Sequence, residues 1–153
     1  MLAAALALHV FAAVVWVGGM FFAYMALRPT AAQLLEPAQR LPLWRGVFTR
    51  FFPWVWLAVL SLLITGYGML FMLFNGFTHA PVYVHIMHGL GILMMLLYMH
   101  VFFAPYRRLR LALDDNNLPE AGRRLNQIRQ IIAINLSLGI IVVIVASAGR
   151  FLV

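Results

Sequence analysis

Four times along this chain, twenty or more residues pass without a single Asp, Glu, Lys or Arg: about residues 2–27, 51–74, 82–104 and 130–149. A bilayer core about 30 Å thick is crossed by roughly 20 apolar residues in a helix, and a helix satisfies its own backbone where no water can. The predicted fold class is therefore all-α, an integral membrane four-helix bundle forming one domain over residues 1–153. The first run carries no basic n-region and is about twice as long as a signal-peptide h-region, so it reads as a membrane helix. Composition agrees: 65% of residues are hydrophobic and 10% charged, against roughly 45–50% and about 25% in soluble domains. A water-soluble monomer and a disordered chain are both excluded.

The formal charge of +7 comes entirely from arginine, since the chain has no Lys. These residues flank apolar runs instead of forming a basic face, which argues against nucleic acid as a partner. Arg28, Arg40, Arg45 and Arg50 lie between the first two runs; Arg107, Arg108, Arg110, Arg123, Arg124 and Arg129 lie between the last two. The positive-inside rule then places both connections in the cytoplasm, and both termini and the His79 loop outside, in a bacterial-type inner membrane. Trp44, Trp54, Trp56, Tyr83 and Tyr106 suit interfacial belts. Pro29, Pro37 and Pro42 mark the first connection, and Pro53 falls in the first turn of the second span. The third helix is expected to run on to about Leu113 and turn at Asp114–Asn117. Asn117 then caps the fourth helix, with Glu120 three residues later as in a capping box.

Histidines inside a span are costly and point to function. His9 lies about seven residues into the first helix and His88 about six into the third, near 10 Å below the outer boundary at about 1.5 Å per residue. His85 is one turn shallower. Matched depth on two parallel helices suits bis-histidine ligation of a haem iron. On that reading His9 and His88 are the axial ligands, with His85 as the substitute. Ala13, Trp16 and Gly91 make room for and wall the macrocycle, while Arg150 and Tyr83 meet its propionates. Copper is the alternative, with His79, His85, His88 and His9 as an outer site feeding methionines, whose thioethers suit Cu(I). A third reading makes the histidines interhelical hydrogen-bonders in a non-catalytic assembly subunit. Without Cys, thiolate ligands, iron–sulfur clusters and c-type haem attachment are excluded. The four carboxylates, Glu36, Asp114, Asp115 and Glu120, all lie in the arginine-rich connections, and hydrolytic motifs are absent.

The run His9-x6-Trp16-x2-Gly19-Met20-Phe21-Phe22 resembles the first-helix signature of the CopD-like membrane proteins. That grouping holds copper-resistance D proteins and haem-containing protoporphyrinogen oxidases of the HemJ type. The resemblance continues through Val84–Gly91 (VHIMHGLG), Tyr98 and Arg123–Asn126 (RRLN). It implies that His9 matches a first-helix histidine linked to haem b. The oxidase branch's third-helix histidine-x-lysine pattern falls on His85 and Met87, with His88 adjacent, and an acidic position after the fourth-helix Asn falls on Gln127. The function expected from residues and resemblance together is a haem b-binding redox or electron-transfer protein of the inner membrane, related to a haem-dependent oxidoreductase. Its partners would be the bilayer and a redox protein or quinone, with oligomerisation left open by the small-residue helix faces.

Overall fold

The computed structural model describes residues 1–151, and every regular element among them is helical. Helix α1 (Leu2–Phe22) passes through a wide π-helical turn (Ala23–Leu27) into α2 (Arg28–Leu34). Helix α3 (Pro37–Phe74) is followed by a 3₁₀ turn (Phe77–His79) and α4 (Val82–Phe103). Helix α5 (Pro105–Asp114) leads to α6 (Leu118–Ala148), which ends in a 3₁₀ turn (Gly149–Phe151). Four helical stretches are long and apolar enough to cross a membrane: Leu2–Leu34, Pro37–Phe74, Val82–Asp114 and Leu118–Phe151.

The apolar runs locate the spans, but the helices overrun them at the arginine-rich end. The first connection is almost wholly helical, with only Leu35 and Glu36 extended. Its prolines are accommodated instead of breaking it. Pro29 opens α2 just beyond the wide turn, and Pro37 opens α3, where a missing N–H costs nothing. Pro53 is consequently not in a first turn. It lies inside a 38-residue helix, where it leaves the Thr49 carbonyl without its usual donor. The third helix breaks at Ala104 (φ −112°, ψ −87°), because a residue preceding proline disfavours the α conformation. The turn at Asp114–Asn117 forms as expected. The Asn117 side chain accepts from the Glu120 N–H at 3.2 Å. The reciprocal half of the box is replaced: Glu120 turns its carboxylate to Arg124 at 2.6 Å and Arg123 at 3.2 Å.

The π-turn sets register. Trp16, Met20 and Ala23 form one buried stripe of α1. The Arg28 N–H bonds to the Ala23 carbonyl five residues back, which inserts one residue and about 100° of phase. Arg28 is thereby turned toward the edge of the buried face, from which regular α-helix would carry it about 100° away; Ala31, at 3% exposure, lies near that face in either geometry.

Helix α6 packs on α4 and α5 and also touches α1 and α3, while α1 lies along α3. The α3–α4 seam is aromatic. Tyr98 meets Phe52 and Trp56 edge-on at 5.5 and 5.2 Å between ring centroids, and its hydroxyl donates to the Phe52 carbonyl at 3.0 Å. Trp56 also meets Phe102 at 5.5 Å. Most buried side chains, from Trp16 to Leu41, Trp44, Phe48, Tyr106, Leu109 and Ile128, lie in the arginine-rich half. At the other end the buried set thins to Ala12, Thr65, Leu70, Gly76 and Gly149. That end carries His9, His79, His85 and His88.

Candidate functional site

Two histidines are held by side chains of α3. His9 Nδ1 lies 2.8 Å from the Thr65 hydroxyl, which itself donates to the Ser61 carbonyl. Serving as donor there, Thr65 leaves His9 to donate from Nδ1. The half-buried His9 ring also covers Gly66, where a Cβ would stand 3.3 Å from its Cε1. His88 Nε2 lies 2.9 Å from the Tyr67 hydroxyl. Thr65 and Tyr67 are two residues apart and so project about 200° apart around α3. His9 and His88 thus engage opposite faces of the second span.

That arrangement bears on haem. A macrocycle ligated from both sides needs two imidazoles facing one another across an open slot. Here the second span lies between the faces they occupy. Among the described residues, a cavity at the arginine-rich end and a small one beside Trp16 and Tyr98 are both lined without a histidine. As packed, His9 and His88 do not fit an axial pair, and haem b has no support in this geometry.

The remaining predicted residues separate by place. Ala13 is half-buried on α1, and Trp16 is a core residue, 2% exposed and edge-on to Tyr98 at 6.1 Å. Gly91 faces open space. Tyr83 packs against Gly149, where a Cβ would stand 2.6 Å from the Tyr83 Cβ. Arg150, the next residue, is exposed and stacks over Phe151 at 4.6 Å. His79 and His100 are exposed.

His85 and His88 do come together. They are three residues apart on α4, on one face, and both rings pack on Phe77 of the preceding turn at 5.8 and 4.8 Å between centroids. Phe77 in turn meets Tyr67 at 6.4 Å. The turn that delivers Phe77 depends on Asn75 (φ 53°) and Gly76 (φ 109°), which end α3 in left-handed geometry. Seven and eleven residues after His88, two and three turns on, Met95 and Met99 continue the same stripe. Among the described residues no group of three or more His, Asp or Glu side chains is placed to hold a metal. Sequence reasoning missed Thr65, Tyr67 and Phe77. The only signal was the polar interruption Thr65-Gly66-Tyr67 within an apolar run.

Compared with known families, residues 45–148 match copper resistance protein D. The chain belongs to the CopD family. The matched segment runs from within α3 to the end of α6 and so contains His79, His85, His88, the methionine stripe and the aromatic seam. His9 and Trp16 precede it. With four helices able to cross a membrane, this CopD-family chain is a multi-pass membrane protein. The match does not single out the oxidase branch. No curated protein and no solved structure matches the chain.

Proposed function

We propose that this CopD-family protein handles copper, as a transport or resistance component, at the histidine-bearing end of the bundle. The family match is the observation that carries the reading. The paired His85 and His88 over Phe77 support it, because imidazole suits copper and thioethers favour Cu(I). His88 uses Nε2 toward Tyr67 and keeps Nδ1 as its free nitrogen. His85 is exposed beside it as a first point of contact, and Met95 and Met99 offer soft donors deeper in the span. The arginine-rich end lies on the cytoplasmic side in this reading, so copper is met on the outer face.

A second reading has its own observation. His9–Thr65 and His88–Tyr67 are interhelical hydrogen bonds, as expected of a subunit whose histidines only join helices.

Metal analysis and an optical spectrum of detergent-purified protein decide between them, with Cu(I) affinity measured by chelator competition in His85→Ala/His88→Ala. Copper binding that falls at least tenfold in the double variant is the expected result. Iron porphyrin with a Soret band and no copper would overturn the proposal in favour of haem. A colourless, copper-free protein that co-purifies with a larger complex would overturn it in favour of the assembly role.

A further inference from the structure

A cavity of about 610 Å³ lies at the arginine-rich end, away from His9, His85 and His88. Its walls carry Arg28, Arg40 and Arg129 from three separate segments, α2, α3 and α6, and no carboxylate. All three arginines are half-buried. Among the described residues none of them is ion-paired, whereas Arg45, Arg123 and Arg124 are. Arg28 is held over the Tyr24 ring at 4.8 Å. Gathering three partly desolvated guanidiniums without a counter-charge is unfavourable unless an anion joins them. The rest of the lining is apolar, including Trp44 and Leu41. Arg28 reaches its edge only because the wide turn at Ala23–Leu27 shifts the register, and such π-turns recur at functional sites.

We propose that this cavity binds an anionic phospholipid, its phosphate among Arg28, Arg40 and Arg129 and its acyl chain along the apolar wall. Guanidinium forks match phosphate oxygens. A free anion would satisfy the arginines but leave the apolar remainder of the cavity wet, so the amphiphile is the better fit. The site is separate from the copper reading and stands whether or not that reading holds.

Native mass spectrometry of delipidated protein in neutral detergent, titrated with phosphatidylglycerol or phosphatidylcholine, tests it. One phosphatidylglycerol is expected to bind with clear preference. Arg28→Gln/Arg40→Gln/Arg129→Gln should weaken it on the order of 100-fold, given about fivefold per arginine near an anionic lipid. Arg107→Gln/Arg108→Gln/Arg110→Gln removes the same charge from exposed positions at the same end and should leave the bound lipid in place. Gly122→Leu provides a steric arm. Gly122 lines the cavity and a Cβ there meets no atom within 4 Å, so the backbone accepts a side chain, every arginine is kept and the added bulk enters the space; an unchanged thermal midpoint checks that the variant is folded. It should lose the lipid. Equal losses in the two arginine triples, or full binding in Gly122→Leu, would overturn the site. Binding of inorganic phosphate, but not of phosphatidylglycerol, that depends on the three arginines would overturn the lipid and assign the arginines to a soluble anion.

Discussion

Replacing Gly149 with alanine tests how closely α4 and α6 cross beside the histidine pair. The glycine is buried and in ordinary right-handed geometry (φ −58°, ψ −35°), so alanine meets no backbone objection. Its obstacle is steric. The new Cβ would stand 2.6 Å from the Tyr83 Cβ and 3.0 Å from its Cγ. A Cβ is fixed to the backbone and cannot rotate aside, so α4 itself must shift. Overpacking of this kind costs about 1–3 kcal/mol. Gly91→Ala, on the same helix as Tyr83, is the control, because its Cβ meets nothing within 4 Å. It should gain up to about 1 kcal/mol from helix propensity alone.

The two variants should therefore move apart, Gly149→Ala below the wild type and Gly91→Ala at or above it. At roughly 2–4 °C per kcal/mol for a chain of this size, the gap in thermal midpoint is several degrees. Circular dichroism in one detergent reads it. Tyr83 is two residues before His85, so the shifted α4 should also weaken Cu(I) binding, though by less than His88→Ala does. Equal midpoints for the two alanine variants would refute the close crossing, and with it the reasoning that Gly149 sets the position of the histidine pair.

Thr65→Val keeps the shape at His9 but removes its hydrogen-bond partner. The expected loss is about 0.6 kcal/mol, the average for interhelical side-chain bonds in a bilayer protein, read by the same unfolding measurement. Tyr98→Phe removes one hydroxyl donation to the Phe52 carbonyl and should cost no more than about 1 kcal/mol. Tyr98→Ala empties the space between Trp16, Phe52 and Trp56 and should approach the ~3–5 kcal/mol of aromatic truncation. Arg45→Gln breaks the 2.7 Å pair with Asp114, whose side chains are 38% and 55% exposed. Its effect on stability should stay below about 0.5 kcal/mol and vanish in high salt.

The four spans were legible because apolar length is a property of the chain itself, and so was the Asn117 cap, whose partner is only three residues away. What the sequence hid depends on the register between helices. Matched depth correctly placed His9 and His88 at one end of the bundle. Depth carries no rotation, however, and rotation decides that one ring meets Thr65 and the other Tyr67 on opposite sides of α3. The His85–His88 pair was visible in its spacing, but Phe77, which backs both rings, is brought in by a turn whose closure needs two left-handed residues.

Arginine placement shows the same division more sharply. Counting Arg28, Arg40 and Arg129 with their neighbours yields an orientation, and for that purpose every guanidinium at one end is equivalent. In the fold they are not. Arg45 has a carboxylate, Arg107 and Arg108 are exposed, and three others line one cavity without a counter-charge. The difference for Arg28 rests on the single residue inserted by the wide turn at Ala23–Leu27. With the same residues wound as regular α-helix, Arg28 would lie about 100° off the buried face. The chain would keep its apolar runs, its arginine count and its inferred orientation, and lose one wall of the cavity.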